Sequence, residues 1–93
     1  MDTICHSARV IKITDKQTVR VTFTHVRGGD ASLFVAMNPL TGDWLQEHMH
    51  NGIRTAYYGT KTEAVRLANN IVKKSAEKDL ACKVDIQRRK ILP

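Results

Sequence analysis

No stretch of this chain approaches the ~20 consecutive apolar residues that cross a bilayer. Its start, Met1-Asp2-Thr3-Ile4, has neither a basic nor an apolar leader region, so no signal peptide is expected. There are two cysteines, Cys5 and Cys82, where small secreted domains usually carry four or more. Each lies in an alternating stretch that reads as a strand. That favours two free thiols in a reducing, cytoplasmic setting over a single Cys5–Cys82 bridge. Two prolines and five glycines leave no room for a long flexible linker. Catalytic signatures are also missing: there is no Gly-x-Ser-x-Gly elbow, no phosphate-cradling glycine loop and no His-Glu-x-x-His.

What remains is one small domain spanning residues 1–93. Apolar residues make up 42% and charged residues 26%, which is ordinary for a folded chain and excludes a disordered one. At this length only about 60–65% of the unfolded surface is buried, so the core is small and there is little room for an enclosed pocket.

Alternation supplies most of the elements. Ile4–Ile13 is rich in β-branched residues and reads as a strand. In Thr18–His25, Val19, Val21 and Phe23 alternate with Arg20, Thr22 and Thr24. Arg27-Gly28-Gly29-Asp30 then makes a tight turn into a strand over Ser32–Met37. Asn38–Asp43 is a loop around Pro39 and Gly42. Asn51-Gly52 separates Trp44–His50 from Ile53–Tyr58, the strongest short hairpin signal. A short helix over Trp44–Met49 is the competing reading.

Thr60-Lys61-Thr62-Glu63 fits a capping box. Ala64, Leu67, Ala68, Ile71 and Val72 follow at helical spacing, predicting a helix over about 61–78. Cys82, Val84 and Ile86 alternate with Lys83, Asp85 and Gln87, a closing strand. The expected fold is α+β: a mostly antiparallel sheet of five or six strands, one amphipathic helix on one face, and a strand after the helix.

Several side chains invite a chemical reading. His48 and His50 share one strand face and could hold a metal if His6, His25, Asp43 or Glu47 converged on them. No spacing fixes a third ligand, so no metal and no cofactor is expected. Asp15, Asp30 and Asp43 fall in turns, where aspartate serves the backbone. Cys5 and His6 are adjacent on a strand and point to opposite faces, which prevents a direct pair. No enzyme activity is expected. Trp44, the only tryptophan, is expected in the core; exposed, it would mark an interface.

Charge is the remaining signal. Residues 1–50 balance Arg9, Lys12, Lys16, Arg20 and Arg27 against Asp2, Asp15, Asp30, Asp43 and Glu47, so the net charge of +6 lies in residues 51–93. A one-sided positive field attracts polyanions. Lys61, Arg66, Asn69, Asn70 and Lys73 fall opposite the apolar helix stripe, diluted by Glu63 and Glu77. Lys74 and Lys78 complement the helix dipole. The cations left to explain are Arg54, Arg66, Lys73, Arg88, Arg89 and Lys90, with Tyr57 beside Arg54 for stacking.

Ile53-Arg54-Thr55-Ala56-Tyr57-Tyr58-Gly59-Thr60-Lys61-Thr62-Glu63-Ala64, a strand followed by a Thr-Lys-x-Glu-Ala helix start, resembles the arm-type DNA-binding domains of phage integrases and the plant AP2-like domains. The resemblance covers residues 53–76. It implies a sheet facing the DNA major groove, with Arg54 as a contact. The chain departs from that pattern in the strand after the helix and the hairpin before it. Small uncharacterised phage and bacterial domains look equally similar. The expected function is thus a small, basic, non-enzymatic binding protein, most simply one that contacts nucleic acid phosphates, DNA before RNA, as a monomer or small homo-oligomer. The alternative is a phage- or plasmid-encoded inhibitor that binds an acidic host protein or a nucleic-acid-handling defence complex.

Overall fold

The computed structural model describes residues 3–4 and 11–89. Six strands and one helix follow in the order β1 (Thr3–Ile4), β2 (Gln17–Thr24), β3 (Asp30–Met37), β4 (Trp44–His50), β5 (Ile53–Gly59), α1 (Lys61–Glu77) and β6 (Cys82–Arg88). They form one antiparallel sheet in the order β1-β6-β2-β3-β4-β5. The expected α+β architecture is what the chain adopts.

Turn chemistry sets the register. Between β2 and β3, Gly28 and Gly29 take φ of 93° and 84°, and the His25 N–H reaches the Gly29 carbonyl at 2.9 Å. Between β4 and β5, Asn51 and Gly52 take φ of 52° and 78°, the double left-handed step that matches strand twist in a two-residue hairpin. The hairpin therefore forms over Trp44–Gly59, and the competing helix does not.

The capping box closes as the sequence predicts. The Glu63 N–H donates to Thr60 Oγ1 at 3.1 Å, and the Thr60 N–H donates to Glu63 Oε1 at 2.8 Å. These bonds, with the Arg66 charge nearby, hold the Glu63 carboxyl below its ordinary range against a smaller opposing effect of burial. At the other end Asp79 turns left-handed at φ 54°, and the chain reverses into β6.

The helix buries Ala64, Ala68, Val72 and Ser75. Beneath it lie Val19, Val21, Leu33, Val35 and Trp44. Trp44 is a core residue. Each fully buried Val or Leu contributes about 1.5–3 kcal/mol, and the alanines let the helix sit close to the sheet. The opposite sheet face carries the alternate residues, including Arg20, which lies 4.9 Å from the Phe34 ring centroid.

Two expectations need correcting. The predicted strand over Ile4–Ile13 is begun by β1 at Thr3–Ile4 but is not continued at Ile11–Ile13, which is irregular; residues 5–10 lie outside the described residues. The reason is Asn69: its amide accepts the Ile11 N–H at 2.6 Å and donates to the Ile11 carbonyl at 3.3 Å, replacing a ladder partner. Ile11 and Ile13 remain buried. Second, Cys82 is disulfide-bonded rather than a free thiol. The inference from free thiols to a reducing compartment therefore falls; Cys5 lies outside the described residues. Among the described residues, no helix is long and apolar enough to cross a membrane.

Gln46 sits at the margin of the core with 1% exposure, and neither side-chain polar atom has a hydrogen-bond partner among the described residues. An unsatisfied buried amide costs about 1–3 kcal/mol. Gln46→Met, similar in length and free of that cost, is expected to raise stability by about 1–3 kcal/mol in urea unfolding. Gly59 lies beside it. A Cβ there would come within 2.5 Å of Glu63 Oε1 and 2.9 Å of Gln46 Nε2. Gly59→Ala should therefore dislodge the capping carboxylate and cost about 0.5–2 kcal/mol by the same assay.

Candidate nucleic-acid interface

The sheet separates the predicted cations. Arg54 lies on the face away from α1, and its Nε donates to Glu47 Oε2 at 2.6 Å. Tyr57 is one residue out of phase with Tyr58 and lies on the helix side of β5, half exposed. Arg66 and Lys73 are exposed on α1. Arg88 ends β6 opposite Gln17, in phase with buried Val84 and hence on the helix side. Arg89 is committed to the fold: its guanidinium donates to the Met37 carbonyl, and its backbone N–H donates to the Lys16 carbonyl at 2.6 Å. Lys90 lies outside the described residues. The set expected to act together is thus divided between two faces, and one member is occupied internally.

The face away from the helix has little net field. Its described charges are Arg20, Arg54 and Lys83 against Asp30, Glu47 and Asp85, and Arg20 is directly opposite Asp85.

The helix face differs. Lys12, Lys61 and Arg66 line an open groove of about 430 Å³ between the 11–13 segment and α1, floored by Ile11, Ile13 and Val65. Lys61 reaches Asp15 at 3.9 Å and lies 5.7 Å from the Trp44 ring centroid. Among the described residues Lys12, Arg66 and Lys73 make no ion pair. Lys73 is seven residues beyond Arg66, which is about 10.5 Å along the same helix stripe.

Lys12 is the member the sequence reading missed. It belongs to the neutral half of the chain, and no local pattern links it to the helix. Asn69 links it, through bonds spanning 58 residues. Asn69 itself is half-buried in this role, not part of the solvent face assigned to it from the helical wheel.

The histidines form a second cluster. His48 and His50 share a strand face, and His25 joins them from the end of β2. The His25 and His50 rings stack at 3.8 Å with 15° between planes, and His25 meets His48 edge-on at 6.5 Å. His25 Nδ1 accepts the Arg27 N–H at 3.0 Å, and His50 Nε2 donates to the Gly28 carbonyl at 3.0 Å. Stacked rings direct their nitrogens in parallel planes rather than toward one point. Among the described residues no three His, Cys, Asp or Glu side chains are placed to hold a metal.

His25 and His48 also line a cavity of about 190 Å³ with Phe23, Leu67, Ile71 and Lys74. No family model matches the chain, and no curated protein or solved structure matches it either.

Burial lowers the His25 pKa below its ordinary 6.5, and His50, His48 and Arg27 lower it further. The unfolded chain takes up a proton that the folded His25 resists. Stability is therefore full above pH 6.5 and declines as pH falls through the lowered folded value. Thermal midpoints should drop between about pH 8 and pH 5.5, above the carboxylate range. In His25→Asn, whose side-chain oxygen can still accept the Arg27 N–H, that drop should shrink. Parallel losses in both proteins would rule out His25 as the cause.

Proposed function

We propose that this protein binds nucleic acid through phosphate contacts made by the solvent face of α1 and the adjoining 11–13 segment. The observation that carries the reading is the convergence of Lys12, Lys61 and Arg66 on one groove, with Lys73 further along the same helix. Affinity for a polyanion grows with the number of phosphates neutralised. The Arg66–Lys73 interval of about 10.5 Å corresponds to roughly three phosphates at 3.4 Å of axial rise each. Asn70, exposed between the two cations, adds a hydrogen-bond donor. The described groove lining is chiefly aliphatic and cationic, which suits backbone contact with little sequence preference.

The likeness to integrase arm-type and AP2-like domains supports a different mode on the same ligand, with the sheet face and Arg54 on DNA. Glu47 already neutralises Arg54, which favours the helix face. Fluorescence anisotropy with short duplex and single-stranded DNA of random sequence tests both modes. Arg66→Glu with Lys73→Glu should weaken binding to every sequence and flatten the salt dependence by about two units of slope. Arg54→Ala should change little; a large loss there would move the interface to the sheet. If the unaltered protein binds neither DNA form more tightly than about 10⁻⁴ M, the proposal fails. The same cations would then be left to recognise carboxylates on an acidic protein, the inhibitor role.

A further inference from the structure

We infer that β5 is the pairing edge of a symmetric homodimer, in which two copies join their sheets antiparallel about Ala56. This goes beyond the nucleic-acid reading and does not depend on it.

Edge strands present unpaired backbone groups, and folded proteins normally guard them with lysine, proline, bulges or shortness. β5 has none of these guards. It is seven residues long, pairs with β4 in unbroken register, and contains neither lysine nor proline. Its one charge, Arg54, is neutralised by Glu47 at 2.6 Å. It also leaves its large apolar side chains exposed: Ile53 is 70% exposed, Tyr57 50% and Tyr58 56%.

The backbone fixes which groups face outward. In a two-residue hairpin the residues flanking the turn, His50 and Ile53, form a hydrogen-bonded pair, and such pairs alternate along the ladder. The N–H and C=O groups of Ile53, Thr55, Tyr57 and Gly59 therefore serve β4, and those of Arg54, Ala56 and Tyr58 point away from the sheet.

A second copy satisfies all three at once. With Ala56 opposite Ala56 of the second copy, Arg54 faces Tyr58 and Tyr58 faces Arg54, giving about six inter-chain hydrogen bonds. The intervening pairs are Thr55 with Tyr57 and Ile53 with Gly59. No charge meets its like. Each guanidinium faces a tyrosine ring, and each Tyr57 covers a threonine, both favourable cross-strand pairs. The register that pairs the whole of β5 is thus also the self-complementary one. Both copies use the same edge about one two-fold axis, so the interface is isologous and closes at two copies.

Sedimentation equilibrium from ~1 µM to ~1 mM, a range that brackets a small interface, should show the mass rising from 10.5 kDa to twice that value. Ala56→Pro removes only an outward N–H. It should hold the protein at 10.5 kDa with an unchanged circular dichroism spectrum. Ala56→Lys, which sets two ammonium groups across the two-fold axis, should do the same and decides the matter if the proline variant does not fold. Mixing Thr55→Cys with Tyr57→Cys should give a disulfide-linked heterodimer, mapped by peptide mass spectrometry, that neither variant forms alone. A monomer throughout the range, a dimer that survives Ala56→Lys, a 55–55 cross-link, or a mass above two copies would each overturn the inference.

Discussion

One helix has to cover six strands, and it cannot. Six strands at ~4.8 Å spacing span about 24 Å, while a helix with its side chains is about 10–12 Å wide. The 17 residues of α1 therefore cover chiefly β2, β3 and the near part of β4. The core follows that footprint. Val19, Val21, Leu33 and Val35 are fully covered, whereas β5 is exposed along nearly its whole length and β6 buries only Val84.

Residues at the margin of that footprint behave unlike those at its centre. Gln46 is buried but meets no polar partner among the described residues, and Gly59 must lack a side chain to leave the Glu63 cap intact. At the opposite margin the three histidines occupy positions where a wider core would place aliphatic residues. His48 follows Gln46 on the inward side of β4, and His25 continues the Val19-Val21-Phe23 row. These rings are half covered. That partial desolvation, with three imidazoles gathered together, depresses the His25 pKa where an exposed histidine would keep its ordinary value.

The elements with strictly local causes were legible in the sequence. The β4–β5 hairpin follows from Asn51-Gly52, the start of α1 from Thr60 and Glu63, and β2 and β6 from period-two alternation. What escaped had a distant cause. Ile11–Ile13 alternates like a strand, but Asn69 supplies the bonds that a strand partner would have supplied. The state of Cys82 depends on what the fold brings to it, and cysteine counting favoured the wrong outcome. His48 and His50 were correctly placed on one face, yet their neighbour His25 arrives through a hairpin register two strands away.

The charge asymmetry shows the same limit most clearly. Halves of a sequence become halves of a structure only when the chain does not return on itself, and here it returns twice. β6 carries Lys83, Asp85, Ile86 and Arg88 back to the far side of β2, where alternation sends successive side chains to opposite faces. Its basic residues therefore cannot add to a single surface. The helix keeps its cations together, because residues seven apart share a stripe. It then recruits Lys12 from the half of the chain with no net charge. The field that matters is a property of one helix and whatever packs beside it, so Asn69, an uncharged side chain, decides its reach by setting where Lys12 stands.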